Sequence, residues 1–382
     1  MKNRLFKLRI IALLTVFSVS VFSLTGCGWL LTGCFALLDD EPYSEEVYET
    51  APSSNSTYNN EKYAYNTLDE QSKRVYNELY EGIVNMEDEI DISTSDESVF
   101  VKVTECIDAD HGDIFYIDGY SYYIGGLFGG SGFTVSPVYT MTKQERNNIQ
   151  AQIDGVVNSW LTEISPNASD YEKSKWVYET LINRADYDSE SSDNQNIISV
   201  FLNGRTVCQG YSAAACYLFD KLGIQSCIVP GNTKDGPHAW NLVLLDGQYY
   251  LMDITWGNSA YEDSGSAKRV NYAYLNVTSE DLAATHFVES SFPIPECVVI
   301  DDNYYNQEGC YFTTFEPDRV GKLIHNGYVN GVDVSVKCGN NETYEKTKTY
   351  FIDNTNFTKY VNTSKLNYTL YPEDRIITFH FK

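Results

Sequence analysis

Apolar residues recur at helical spacing through Leu68, Val75, Leu79 and Ile83, and this predicts the first helix of the chain. The pattern then changes. Val99-Phe-Val-Lys-Val, Ile114-Phe-Tyr-Ile and Tyr120-Ser-Tyr-Tyr-Ile are β-branched and aromatic runs separated by turn formers, so the window 99–140 reads as strand-rich. Helical spacing returns twice behind capping boxes. Thr142-Lys-Gln-Glu145 opens a helix with Ile149, Ile153, Val156, Val157, Trp160 and Ile164 on one stripe, ended by Pro166. Ser169-Asp-Tyr-Glu172 opens the next, with Val177, Tyr178, Leu181 and Ile182 on one face. Trp160 and Trp176 read as core or groove-wall residues.

A turn at Asn203-Gly204 precedes a helix from Cys208 to Leu222, with Tyr211, Ala214, Ala215, Leu218 and Leu222 on one face and Gly223 as its stop. Ala213 to Ala215 carry little bulk, which lets another element approach closely. A strand begins at Ile224 to Val229. His238 to Leu245 and Gln248 to Ile254 flank Asp246-Gly247, a dipeptide favoured in two-residue hairpin turns. With that turn Leu245 pairs with Gln248, Asp253 lies opposite Trp240, and His238 lies opposite Thr255. Strand alternation puts all four of the latter on one face, with His238 and Asp253 diagonal neighbours at ~7–8 Å between backbones. A one-residue slip would separate them. The chain is irregular from Trp256 to about 270, and Tyr272-Ala-Tyr-Leu and Ser279-Glu-Asp-Leu close this central unit. From about 296 onward the pattern reads as small antiparallel strands, among them Val332–Val336, Thr349–Ile352 and Ile376–Phe381.

Composition changes the picture chiefly at the N-terminus. Lys2, Arg4, Lys7 and Arg9 precede an apolar stretch from Ile10 to Phe22, and Leu24-Thr-Gly-Cys27 follows. This is the order of a lipoprotein leader, with Cys27 as the acylated residue. Leu31-Thr-Gly-Cys34 repeats the pattern, but the first copy suits the length of the apolar region better. Residues 28–67 are acidic and rich in Ser, Asn, Thr and Tyr, and read as a flexible tether from the membrane. The expected organisation is therefore leader 1–27, tether 28–67, an N-terminal α+β segment 68–140, a central domain 141–290 and a β-rich C-terminal domain 291–382. The expected location is the extracytoplasmic face of the cell membrane. The formal charge of −26, from 27 basic and 53 acidic residues, argues against a nucleic-acid partner.

Nine cysteines are scattered without a CxxC pair, which excludes a zinc ribbon. With Cys27 acylated and one thiol reserved for chemistry, seven remain, an odd set that does not form a disulfide framework. Asp108, Asp110, His111 and Asp113 imitate a calcium loop. Glycine falls at the fifth position, however, and no Glu stands at the twelfth, so a solvated turn is expected. Gly125 to Gly132 is glycine-rich without the Lys of a phosphate loop, and reads as a hairpin connection. No metal and no cofactor is expected.

The chemistry gathers at three positions. A thiol is a nucleophile as thiolate, and Cys208 stands where a helix N-terminus lowers a thiol pKa and aims backbone N–H groups at a developing oxyanion. His238 supplies a base. Asp253, on the same hairpin face, can accept its Nδ1–H and stabilise the imidazolium. Cys106, Cys216 and Cys227 read instead as buried packing.

Gly204-x-x-x-Cys208-x-Gly-Tyr, His238-Ala-Trp-Asn and Asp253-x-Thr-Trp256 resemble the three motif blocks of the transglutaminase-like superfamily, in particular its bacterial secreted and lipoprotein members. The match covers roughly residues 142–290. The resemblance implies an α+β, papain-like fold in which the Cys helix packs on an antiparallel sheet carrying His and Asp. It further implies thiol acyl chemistry, with Cys208 as nucleophile, His238 as general base then acid, and Asp253 as orienter. Family members place an aromatic or amide group upstream of the Cys to help the oxyanion hole, and Tyr187 and Gln195 are the two candidates. Trp240 and Trp256 suit either the walls of an acyl channel or core packing. The calcium-site context and large flanking domains of the animal transglutaminases are missing, which counts against protein crosslinking. Three readings stay open: amide acyl transfer on a protein or peptide, possibly a cell-wall or surface protein; a cysteine peptidase or amidase of the same fold; and a non-catalytic surface binding module.

Overall fold

The computed structural model describes residues 20–22, 61–124, 132–258 and 270–381, with backbone only for 20–22. Cys27, Cys34 and most of the stretch read as leader and tether lie outside the described residues. The first elements are β1 (Ser20–Phe22), α1 (Tyr63–Asn66), α2 (Glu70–Asn85), β2 (Ile90–Ile92), α3 (Glu97–Asp110), β3 (Ile117–Ile124) and β4 (Phe133–Tyr139). The four strands form an antiparallel sheet in the order β1-β3-β4-β2. Of the glycine-rich connection between β3 and β4, residues 125–131 lie outside the described residues.

Several expectations are corrected in this region. The Val99 run forms helix α3, not a strand. Its buried residues Phe100, Val103, Thr104 and Ile107 recur at helical spacing, and Asp96 caps it by accepting the Ser98 N–H. Burial of that stripe outweighs the β preference of its valines. Ile114-Phe-Tyr-Ile is also largely outside the sheet, since β3 starts only at Ile117. The turn expected around Asp110 to be solvated is instead buried. Asp110 is fully buried and accepts from the Ala64 and Tyr65 N–H groups, each at 2.8 Å, and from the Tyr76 hydroxyl at 3.1 Å. His111 beside it stacks on Tyr80 at 4.1 Å. Residues 61–67, assigned to the tether, are part of this packing: Lys62 pairs with Asp220 at 2.6 Å and Ala64 is fully buried. Removing the Asp110 carboxylate strands two buried N–H groups and a hydroxyl. Asp110→Ala is expected to cost roughly 3 kcal/mol of stability, read as a lower denaturant midpoint at unchanged slope.

The central elements follow: α4 (Lys143–Leu161), α5 (Asp170–Arg184), β5 (Asp186–Tyr187), β6 (Arg205–Thr206), α6 (Cys208–Leu222), β7 (Ser226–Thr233), β8 (Gly236–Leu245), β9 (Gln248–Met252), α7 (Ile254–Gly257), α8 (Ser279–Leu282) and β10 (Phe287–Val288). Both expected capping boxes form, at Thr142/Glu145 and Ser169/Glu172. The second sheet is antiparallel, ordered β10-β7-β8-β9. α6 is packed on it: the Asn241 side-chain N–H of β8 donates to the Ser212 carbonyl at 3.0 Å. Most buried apolar residues between Ala64 and Cys297 belong to one hydrophobic cluster.

The C-terminal elements are α9 (Tyr304–Gln307), β11 (Tyr311–Phe312), α10 (Pro317–Asn330), β12 (Val334–Cys338), α11 (Asn341–Lys348), β13 (Asn367–Tyr371) and β14 (Ile376–His380). The segment expected to be all small antiparallel strands therefore carries two substantial helices, and its β11–β12 pair is parallel. Thr349–Ile352, expected as a strand, lies in a wide helical turn (Thr349–Asp353) that continues α11 and buries Phe351. A separate cluster around Phe312, Ile324, Phe351 and Phe379 fills this part. Lys337, itself buried, pairs with Asp281 at 2.8 Å and ties it to α8. The protein is a mixed α+β structure. Among the described residues no helix is long and apolar enough to cross a membrane.

Candidate functional site

The start of α6 is built by its surroundings. Gly204 adopts φ +67, which a glycine tolerates, and turns the chain into β6. β6 lies parallel to β5, pairing Tyr187 with Thr206. The Asn194 carbonyl then accepts from the Val207 N–H at 3.2 Å and from the Thr206 hydroxyl at 3.0 Å. Helix α6 begins at the next residue, Cys208, which is a buried, unbridged thiol. Position 210 has to be glycine, because a Cβ there would collide with the Thr206 hydroxyl and the Asn194 carbonyl. Tyr211 completes the motif: its hydroxyl donates to the Ala185 carbonyl at 2.6 Å and accepts from Asn258 Nδ2 at 3.1 Å. The first turn of the Cys helix is thereby joined to the segment that follows Asp253. The small Ala213 has its own partner, since Gly112 comes directly against its carbonyl.

The hairpin folds as its turn requires. Asp246 and Gly247 both have positive φ, and the register runs from Leu245↔Gln248 to Asn241↔Met252. Beyond Met252 the expected pairing stops. Trp240 pairs across to Val229 and His238 to Gly231 of β7, while Asp253 leaves the strand to cap α7, accepting the Trp256 N–H on Oδ1 at 3.0 Å. A free C-terminal strand end can turn into a helix once an Asp is there to cap it. Asp253 still has extended backbone, and its Oδ2 meets His238 Nε2 at 2.7 Å. The nitrogen facing the carboxylate is therefore Nε2, not the expected Nδ1. A carboxylate only accepts, so His238 carries its proton on Nε2 and presents Nδ1 as the basic atom.

A residue absent from the sequence reading completes this cluster. His286 Nε2 meets the same Oδ2 at 3.0 Å, and Thr285 Oγ1 meets its Nδ1 at 2.8 Å. All three side chains are buried, and Asp253 is wholly so. Burial pushes the Asp253 carboxyl up, but the charge and hydrogen bond of His238 and the hydrogen bond of His286 outweigh it. The carboxyl is held well below the usual range. Tyr178 of α5 faces this carboxylate, and burial holds its phenol far above the ordinary value. Its hydroxyl donates to the Asn271 carbonyl at 2.6 Å. Glycine at 257 leaves room for that Tyr178 ring. No local spacing rule connects His286 to a hairpin 33 residues upstream of it, and only the tertiary fold brings it in.

Aromatic rings enclose the cluster. Trp240 lies 6.0 Å from the His238 ring in a near-parallel stack and edge-on to His286 at 5.1 Å. Trp256 packs at 4.7 Å from His286 and 6.2 Å from His238. Trp240 is almost completely buried and also lines a cavity of about 320 Å³ with His286, Leu282 and Val288. Trp256 is partly exposed. Tyr187 pairs with Thr206, two residues before Cys208, and Gln195 is the chain neighbour of Asn194, whose carbonyl holds Thr206. Gln195 Nε2 donates to Asn194 Oδ1 at 3.2 Å, while its Oε1 is buried without a protein partner. The donor atoms of His238, Asp253 and His286 lie within 4.8 Å of one another, near enough for a metal ion. The two N–H···O bonds to one oxygen account for that convergence without one.

Residues 158–254 match the family model of the transglutaminase-like superfamily core. The chain carries a transglutaminase-like domain. It is 24% identical over 176 residues to mouse (Mus musculus) kyphoscoliosis peptidase, covering 40% of this chain and 25% of that protein. Against the human (Homo sapiens) kyphoscoliosis peptidase it is 26% identical over 165 residues, covering 37% and 23% respectively. The chain thus spans about a quarter of the length of these relatives. Among solved structures, the crystal structure of a TGase aligns over 40% of this chain and 47% of that one, at 16% identity and a TM-score of 0.27.

Proposed function

We propose that this protein is a thiol acyl-transfer enzyme acting on amide groups of proteins or peptides, with Cys208 as nucleophile, His238 as base and then acid, and Asp253 as orienter. The observation that carries the reading is the buried 2.7 Å bond between His238 and Asp253, formed in a domain whose Cys208 opens a helix. His238 Nδ1 takes the thiol proton, and the thiolate attacks the amide carbonyl. N–H groups in the first turn of α6, with Tyr187 or Gln195 beside them, receive the oxyanion. The imidazolium returns the proton to the departing nitrogen, the C–N bond breaks, and a thioester on Cys208 remains. An amine then resolves it to a new amide, or water resolves it to an acid. Trp240 and Trp256 wall the site.

Hydrolysis has one observation in its favour, the likeness to proteins named as peptidases. Incubating the protein with a glutamine-containing protein, with and without a primary amine, tests both outcomes by mass. Amine incorporation marks transfer, deamidation or backbone cleavage marks hydrolysis, and no product under either condition would remove the enzyme reading.

The leader pattern of the sequence supports a further proposal, that the protein is anchored at the extracytoplasmic face of the cell membrane through lipid on Cys27. Cys27→Ala is expected to release it from the membrane fraction into the soluble fraction. A variant that stayed membrane-bound would contradict the anchor.

A further inference from the structure

The family match ends at residue 254, yet the carboxylate at its edge is shared with a second histidine beyond it. We propose that His286 is a positioning residue that tunes His238 through Asp253, drawing charge from the shared carboxylate so that the imidazolium formed on His238 is not held too tightly to give up its proton. The inference rests on the acyl-transfer reading for its purpose, but its geometry stands independently.

A carboxylate oxygen offers about two lone-pair directions. Oδ2 uses both on imidazole N–H groups, at 2.7 and 3.0 Å, and Oδ1 takes the Trp256 N–H at 3.0 Å. Whatever its charge, His286 must donate through Nε2, because the atom it faces only accepts. Its place is fixed by Thr285 on Nδ1 and by the rings of Trp240 and Trp256. A wholly buried carboxylate with one imidazole partner would stabilise that partner's protonated form strongly. Each further donor disperses the charge and weakens the hold. A general acid works best when its pKa lies near the working pH, so an imidazolium bound too firmly protonates a leaving amine poorly.

Among the described residues, the other titratable groups around the cluster are Tyr178 of α5, Tyr274 of the turn before α8, and Cys208 of α6 on the reading above. Tyr178 is committed to the Asn271 carbonyl, and Tyr274 packs ring to ring against His286, at 6.3 Å between centroids. The second donor on Oδ2 is thus His286.

The test uses the full chain with His286→Phe, which keeps a ring and removes the donor, and His286→Gln, whose amide N–H can still donate. The His238 imidazole is titrated by NMR, and the pH profile of turnover is measured with kcat and KM resolved. His286→Phe is expected to raise the His238 midpoint and the acidic limb of kcat, where the base must lose its proton, by about one pH unit, a tenfold change in the proton equilibrium. KM should stay within twofold. His286→Gln should keep both within a few tenths of a unit of the parent. An unmoved midpoint in His286→Phe, or an equal shift in both variants, would overturn the proposal and leave His286 a packing residue. Should His286→Phe not fold, Thr285→Val takes its place. Loosening Nδ1 is expected to raise the midpoint by a smaller amount, and no rise would overturn the proposal. If Cys208 proved unreactive in the parent while the His238 midpoint still moved, the tuning would stand and the acyl-transfer reading would fall.

Discussion

Cys208→Ala is expected to lower turnover by roughly 10⁴-fold or more while leaving the fold nearly intact. Covalent catalysis has no substitute for the sulfur, because neither His238 nor water can form the thioester. The structural cost is small. The side chain is buried but short, it forms no disulfide, and deleting one atom leaves a small void worth about 1 kcal/mol. Activity loss with a near-parental melting curve is therefore the signature to look for. On the proposed reading, reactivity should also set Cys208 apart from the other thiols. Burial pushes the Cys216 thiol up to about 12 and the Cys310 thiol up to about 11, so neither is a thiolate at neutral pH.

Asp253 substitutions should divide into two kinds. Asp253→Ala strands two buried imidazole N–H groups and uncaps α7, so a loss of about 3–5 kcal/mol is expected. Asp253→Asn keeps a capping oxygen on Trp256 but cannot accept both imidazoles on the other branch. His238 is then driven toward the wrong tautomer, and kcat should fall on the order of 10⁴-fold in a protein that still folds. The pH dependence of stability follows from the direction of the shift. The folded carboxyl lies below its unfolded value of about 3.9, so its contribution is present above that pH and is lost as pH falls toward the folded value. Urea midpoints from pH 5 downward should therefore decline less steeply in Asp253→Asn than in the parent.

Much of the site was legible because local rules govern it. Gly223 as C-terminal stop and a run of apolar residues at helical spacing define α6 from Cys208 to Leu222. The Asp-Gly turn fixes the β8–β9 register as far as Asn241↔Met252, and Asp253, the next residue on, still reaches His238. What the sequence did not reveal depends on distance along the chain. Asp110 looks like a loop residue until the backbone of residues 64 and 65, some 45 positions away, is packed against it. The Val99 run looks like a strand because its β-branched residues conceal the helical stripe of Phe100, Val103 and Ile107. Thr349–Ile352 misleads in the same way, since burial of Phe351 decides its conformation. His286 carries no local signal for its place on Asp253. That Nε2 and not Nδ1 of His238 meets Asp253 is a matter of ring orientation, which strand alternation cannot anticipate.

The most direct test of the central claim is the rate at which iodoacetamide alkylates Cys208 at neutral pH, followed by peptide mass, in the parent and in His238→Ala. An activated thiol predicts that Cys208 is modified ahead of every other described cysteine, faster than thiols of the unfolded chain, and more slowly once His238 is removed. A Cys208 that reacts no faster than unfolded-chain thiols, at a rate His238→Ala leaves unchanged, would contradict the account.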